Sequence, residues 1–213
     1  GMFQSVYDYP YLSSSANHIF DLTCGYSNNS TLSKSSAVSD DQNKKINIYN
    51  QMAQLLVGHD VTGSIREFDQ DGDLTDGTKM REVFFINYAR LLNKDEIKKG
   101  SVSLQFMTGG TPDARGDVLS LGDHNAQNEF RINSPAGEYG ILYTSSATPN
   151  SDSGVGHIYY QAGIAVVTAS IFDGQFGPND QNLETTASVD ILLSGSVISS
   201  SCDGIRNAMF NFQ

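Results

Sequence analysis

Residues 64–88 read SIREFDQDGDLTDGTKMREVFFINY, and how this stretch is taken decides the fold. Four aspartates, Asp69, Asp71, Asp73 and Asp76, fall within eight positions. A calcium loop of the EF-hand type places side-chain oxygens at positions 1, 3 and 5, glycine at 6 and glutamate at 12, between two helices. Counted from Asp69, the first three positions fit, but Leu74 stands at position 6 and Met80 at position 12. The flanks SIREF and REVFFINY are rich in β-branched and aromatic residues and read as strands. The stretch is therefore expected to be a β-hairpin with a solvated acidic tip, where Asp and Gly supply the turn. A looser calcium site at Asp69, Asp71, Asp73 and Asp76 is the minor alternative, because a cation relieves repulsion among carboxylates. No other metal and no cofactor is expected.

Strand signals continue outward from that hairpin. SVSLQF (101–106), NEFRIN (128–133), GILYTS (140–145), HIYYQAGIAVVTASIF (157–172), SVDILLSGSVIS (188–199) and IRNAMFNF (205–212) all read as strands. Gly-, Asn-, Ser- and Asp-rich turns separate them. Upstream, NKKINIYNQMAQLLVG places Ile46, Tyr49, Met52, Ala53, Leu56 and Val57 at helical spacing. Asp40 or Asp41 suits its start and Gly58 its end. The main helix is thus expected over about 42–57, packing on the sheet, with a short helix near 94–99 between Asn93 and Gly100.

Composition shows no second domain. The expected architecture is mainly β (α+β): one multi-strand, β-sandwich-like domain over 1–213, with an N-terminal arm over 1–26 and a polar loop over 27–43. Pro10 suits an edge in that arm. Gly1 before Met2 reads as a processing scar, and MFQSVYDYPY lacks the pattern of a secretory leader.

The 213 residues carry a net charge of −11. That balance opposes binding to phosphate backbones and to anionic membrane surfaces. The longest nearly apolar run, GIAVVTASIF, is far short of the roughly 20 residues of a membrane helix. Neither nucleic acid nor membrane is an expected partner. Cys24 and Cys202, 178 positions apart, are expected as free thiols. His18, His59, His124 and His157 are scattered, and neither a nucleophile elbow nor a phosphate-binding glycine loop occurs. No catalytic residue is assigned, and the chain is not expected to be an enzyme.

Five blocks carry a likeness: INIYNQMAQLLVG, SIREFDQDGDL, FFINYARLLNKDEIKKGSVSLQF, NEFRINSPAGEYGILY and GHIYYQAGIAVVTASIF, spread over residues 44–172. In that order they resemble virion structural proteins of T4-like marine phages (cyanophages), of the baseplate wedge or tail-associated type. The resemblance implies a non-enzymatic assembly protein. Its partners would be itself, as a homodimer or other homo-oligomer, and neighbouring baseplate or tail proteins. It would be made in the cytoplasm of a bacterial host and reside in the virion. The chain stops within what reads as a strand, NAMFNFQ, which makes a longer parent protein an expectation too. The alternative function is a carbohydrate- or receptor-binding β-sandwich module, with Tyr139, Tyr143, Tyr159 and Tyr160 lining a concave face.

Overall fold

Val83–Ile86 and Ile164–Val167 are runs of consecutive apolar residues rather than alternating ones. Such runs suit strands covered on both faces. In the computed structural model of the chain both are strands, β5 (Glu82–Asn87) and β10 (Ile164–Thr168), paired side by side. The structure describes residues 2–8, 15–34, 40–92, 96–107, 118–144, 153–172, 177–178, 183–184, 193 and 198–212.

Seven more strands complete their sheet: β1 (Gln4–Tyr7), β2 (His18–Tyr26), β6 (Ser103–Met107), β7 (Val118–Gly122), β8 (Tyr139–Thr144), β9 (Gly156–Tyr159) and β13 (Met209–Phe212). The order is β1-β2-β5-β10-β9-β8-β7-β6-β13, antiparallel throughout. Two-stranded ribbons lie apart, β3 (Phe68–Asp69) with β4 (Lys79–Met80) and β11 (Gly177–Pro178) with β12 (Leu183–Glu184). Among the described residues the longer helices are α1 (Asp40–Leu56) and α2 (Ile198–Ala208).

Register divides the core in two, because residues paired across neighbouring strands share a face. Gly25 pairs with Val83, and Phe85 with Val166, which pairs in turn with His157. On this face α1 and the β3–β4 ribbon lie, joined by Tyr49–Phe68 and Phe68–Phe85 ring contacts at 5.4 and 5.8 Å. Cys24 pairs with Phe84 and Phe84 with Val167, on the opposite face. There Phe172 touches both Phe84 and Phe106, at 5.9 and 5.2 Å. Phe84 lies in β5 and Phe106 in β6, well apart in strand order, so the sheet must curl to bring them together. α2 lies against β2 and β6 and spans this curl. The expected mainly β class holds, and its sandwich-like layering comes from the curl of one sheet. Each buried phenyl ring contributes roughly 1.5–3 kcal/mol over an exposed one.

Gly25 allows α1 to sit close. A Cβ there would meet the Lys45 carbonyl oxygen at 2.6 Å and the Tyr49 amide nitrogen at 2.9 Å. At the end of α1, Gly58 takes φ 75°, the left-handed conformation that closes a helix.

Some expected boundaries move. Within the N-terminal segment, whose sequence suits an arm or a strand, β1 and β2 both pair into the sheet, and β2 buries Leu22 and Cys24. Pro10 lies outside the described residues. Glu96–Lys98 are irregular and Lys99–Gly100 form a turn, while 93–95 lie outside the described residues, so the expected short helix at 94–99 is not seen there. A short helix occurs instead at Ile198–Ala208, and only Met209–Phe212 of IRNAMFNF are strand. Of SVDILLSGSVIS, residues 188–192 and 194–197 are outside the described residues. HIYYQAGIAVVTASIF is a hairpin rather than one strand, turning at residues 160–163 with Gly163 at φ 65°. NEFRIN contributes one isolated bridge, Arg131 to Tyr139.

Candidate functional site

The acidic stretch is a hairpin tip, as its sequence suggests. Phe68 pairs with Met80 and Asp69 with Lys79, so β3 and β4 enclose residues 70–78. The backbone turns through Gly72 at φ 71°, Leu74 at φ 65° and Gly77 at φ 82°. Leu74 is the one non-glycine with positive φ among the described residues. That conformation costs an ordinary side chain roughly 1–2 kcal/mol. Leu74 thus adopts the turn that glycine makes at position 6 of a calcium loop. The residue that counts against an EF-hand in the sequence still has the required backbone. Met80 is buried and offers no oxygen at position 12, and strands flank the loop, so it is not an EF-hand.

Asx-type hydrogen bonds shape the tip. Asp71 Oδ1 accepts from the Asp73 amide at 3.1 Å. Asp73 Oδ1 accepts from the Thr75 amide and hydroxyl, both at 2.8 Å. Those Thr75 bonds hold the Asp73 carboxyl below the usual carboxylate range. The outward carbonyls are braced by the sheet. Arg131 donates to the Asp71 carbonyl at 3.2 Å, while Asn133 and Tyr139 donate to that of Gly72 at 2.9 and 2.8 Å. With the backbone tied outward, the carboxylates of Asp69, Asp71 and Asp73 converge on the inner side. One oxygen from each lies within 4.8 Å of the others. The Asp76 carboxylate is not in this group, and accepts from the Thr75 hydroxyl at 3.3 Å.

Lys79 enters the same space from the facing strand. Its ammonium donates to Asp69 Oδ2 at 2.7 Å, to the Asp76 carbonyl at 2.8 Å and to the Thr75 carbonyl at 3.2 Å. The Asp69 side chain is fully buried, and that of Lys79 is 19% exposed. Burial raises the Asp69 carboxyl above its ordinary value, against the pull of Lys79. Its Oδ1 is buried without a hydrogen-bond partner.

Below the hairpin lies an aromatic layer. The His157 ring is 6.3 Å from Phe68 and 5.0 Å from Tyr139, and Tyr139 stacks on Tyr159 at 4.9 Å. Burial pulls the His157 imidazole down to about 4, so it is neutral near pH 7. The four tyrosines expected on a concave binding face, Tyr139, Tyr143, Tyr159 and Tyr160, are all buried. Tyr139, Tyr159 and Tyr160 pack in the core, which leaves no exposed tyrosine platform among the four.

The other candidates are structural. Asp123 is buried and accepts from the Gly100 and Val102 amides and the Tyr160 hydroxyl at 2.7, 2.9 and 3.0 Å. His124 beside it and His59 are exposed, and His18 meets Asp21 at 2.8 Å. Cys24 and Cys202 are reduced and buried, on β2 and α2, with a hydrogen bond between their thiols. That contact, followed by burial, pushes the Cys202 thiol well up, so it resists ionisation. An open pocket bounded by Tyr88, Leu91, Ile97, Val102 and Leu104 has nearly apolar walls, with little to orient a ligand. No helix of the described residues is long and apolar enough to cross a membrane.

No protein-family model, curated protein or solved structure is detectably similar to this chain.

Proposed function

We propose that this chain is a structural subunit of a T4-like phage tail or baseplate, working through protein–protein contact rather than catalysis. One observation carries the contact reading. Among the described residues β1 has a sheet partner on one side only, and Met2 and Phe3, which lead into it, are apolar and exposed, at 42% and 51%. The segment is held in place nonetheless, since the Thr23 hydroxyl donates to the Met2 carbonyl at 2.6 Å. An ordered open edge with apolar flanks is suited to pairing with another chain. The phage lineage rests on the sequence blocks within 44–172, which supply all or part of α1, β3, β5, β6, β8, β9 and β10.

In this reading the partner is a second copy of the chain and, in the particle, neighbouring subunits. Light scattering on the purified chain at tens of micromolar is expected to give a dimer or larger oligomer. Phe3→Asp is expected to give a monomer with unchanged circular dichroism. A wild-type monomer across that range would sink the self-association.

A further inference from the structure

We infer that the hairpin tip binds a calcium ion, held by the carboxylates of Asp69, Asp71 and Asp73 and the Thr75 carbonyl, in the space that the Lys79 ammonium occupies. The inference does not depend on the assembly role. Asp69 Oδ1 carries it. This oxygen belongs to a fully buried side chain and receives no hydrogen bond from an amide, hydroxyl or ammonium, while the Asp73 carboxyl lies close beside that of Asp69. A buried carboxylate oxygen left without a partner is costly, and a cation satisfies it. It also faces the cluster. A methyl placed on Gly77 would lie 3.6 Å from Asp69 Oδ1 and 3.9 Å from Asp71 Oδ2, so both oxygens border one space.

Lys79 marks where positive charge sits. Its ammonium already draws together a carboxylate oxygen and two carbonyl oxygens, those of Asp69, Thr75 and Asp76. One ammonium supplies a single positive charge to three carboxylates, and calcium supplies two. The oxygens come from positions 1, 3, 5 and 7 counted from Asp69, the first four ligand positions of a calcium loop, with waters completing the 6–8 that calcium takes. Magnesium demands near-ideal octahedral geometry and keeps its waters, so this irregular cage favours calcium. Lys79 can leave because its side chain is partly exposed, whereas that of Asp69 is fully buried. Without a bidentate glutamate, and with an ammonium to displace, the dissociation constant is expected near ~10⁻⁴–10⁻³ M.

The test is thermal melting and calorimetric titration of the full chain in calcium, in magnesium and in chelator. At 10 mM calcium the midpoint is expected to rise by a few degrees over chelator, and less in magnesium. Asp71→Asn, at a partly exposed position, is expected to melt like the wild type in chelator and to lose the calcium shift. Lys79→Met is expected to bind calcium at least ~10-fold more tightly, having no ammonium to displace. Absence of any calcium-dependent shift in the wild type overturns the inference. So does an undiminished shift in Asp71→Asn, which would place the ion elsewhere.

Discussion

Lys45 and Lys79 both reach inward, and their ends differ. Lys45, in the first half of α1, is almost wholly buried, and its ammonium donates to the Leu193 carbonyl at 2.5 Å. Burial lowers its pKa, against the pull of Asp41. Lys79 meets a buried carboxylate, with further carboxylates beside it, and its side chain is partly exposed. The first charge lies in a sealed interior, with the Leu193 carbonyl among its partners. The second ends in an oxygen-lined space with a way out. A buried charge indicates a binding site when its partner can be replaced, and scaffold when it cannot.

The largest expected effect tests the sealed side. Gly25→Ala would drive a methyl into the Lys45 carbonyl and the Tyr49 amide, which are backbone groups of α1 and cannot swing aside. Overpacking of this kind costs about 3 kcal/mol. Urea unfolding of Gly25→Ala should show that loss, with α1 displaced from β2. Unchanged stability would mean that α1 is not held against β2 at this distance.

Next comes the comparison of the two lysines. In chelator, Lys79→Met leaves Asp69 buried and unpaired, a loss of about 3 kcal/mol. Millimolar calcium should restore most of it. Lys45→Met exchanges a buried ammonium for an apolar chain of similar length, and should change stability by no more than about 1 kcal/mol. Calcium should move wild type and Lys45→Met by equal amounts. Similar losses in both variants, insensitive to calcium, would erase the distinction.

What the sequence disclosed follows from range. The periodic apolar face of 46–57 and the stop at Gly58 are local, and α1 appears within two residues of its expected ends. The apolar runs of β5 and β10 are local as well. Lys79 was within reach of sequence reasoning but absent from it: once 64–88 is a hairpin, register sets it opposite Asp69. The contact of Cys24 with Cys202 was not within reach, because the curl of the sheet and α2 create it. Nor could strand aromatics be sorted. Tyr139 and Tyr159 have the composition of a sugar platform, but their register turns them beneath the acidic hairpin. In IRNAMFNF, residues 205–208 complete the helical face of α2, a period too short to be seen in eight residues.

Leu74 presents the smallest effect and the sharpest reading. Position 6 of a calcium loop demands a sign of φ, and glycine is only the usual means of meeting it. At φ 65° Leu74 bears roughly 1–2 kcal/mol of strain, while its side chain packs against the core and recovers a similar amount. Leu74→Gly removes both terms and should leave stability in chelator within about 0.5 kcal/mol of wild type. Leu74→Val keeps much of the apolar contact but places a β-branched residue at positive φ, where it is a genuine outlier, and should cost about 1 kcal/mol more than glycine. Calcium binding should follow the same order, undiminished in the glycine variant and weaker in the valine variant. If valine equals glycine in both measurements, the left-handed turn is incidental, and the carboxylates converge for reasons other than the backbone at Leu74.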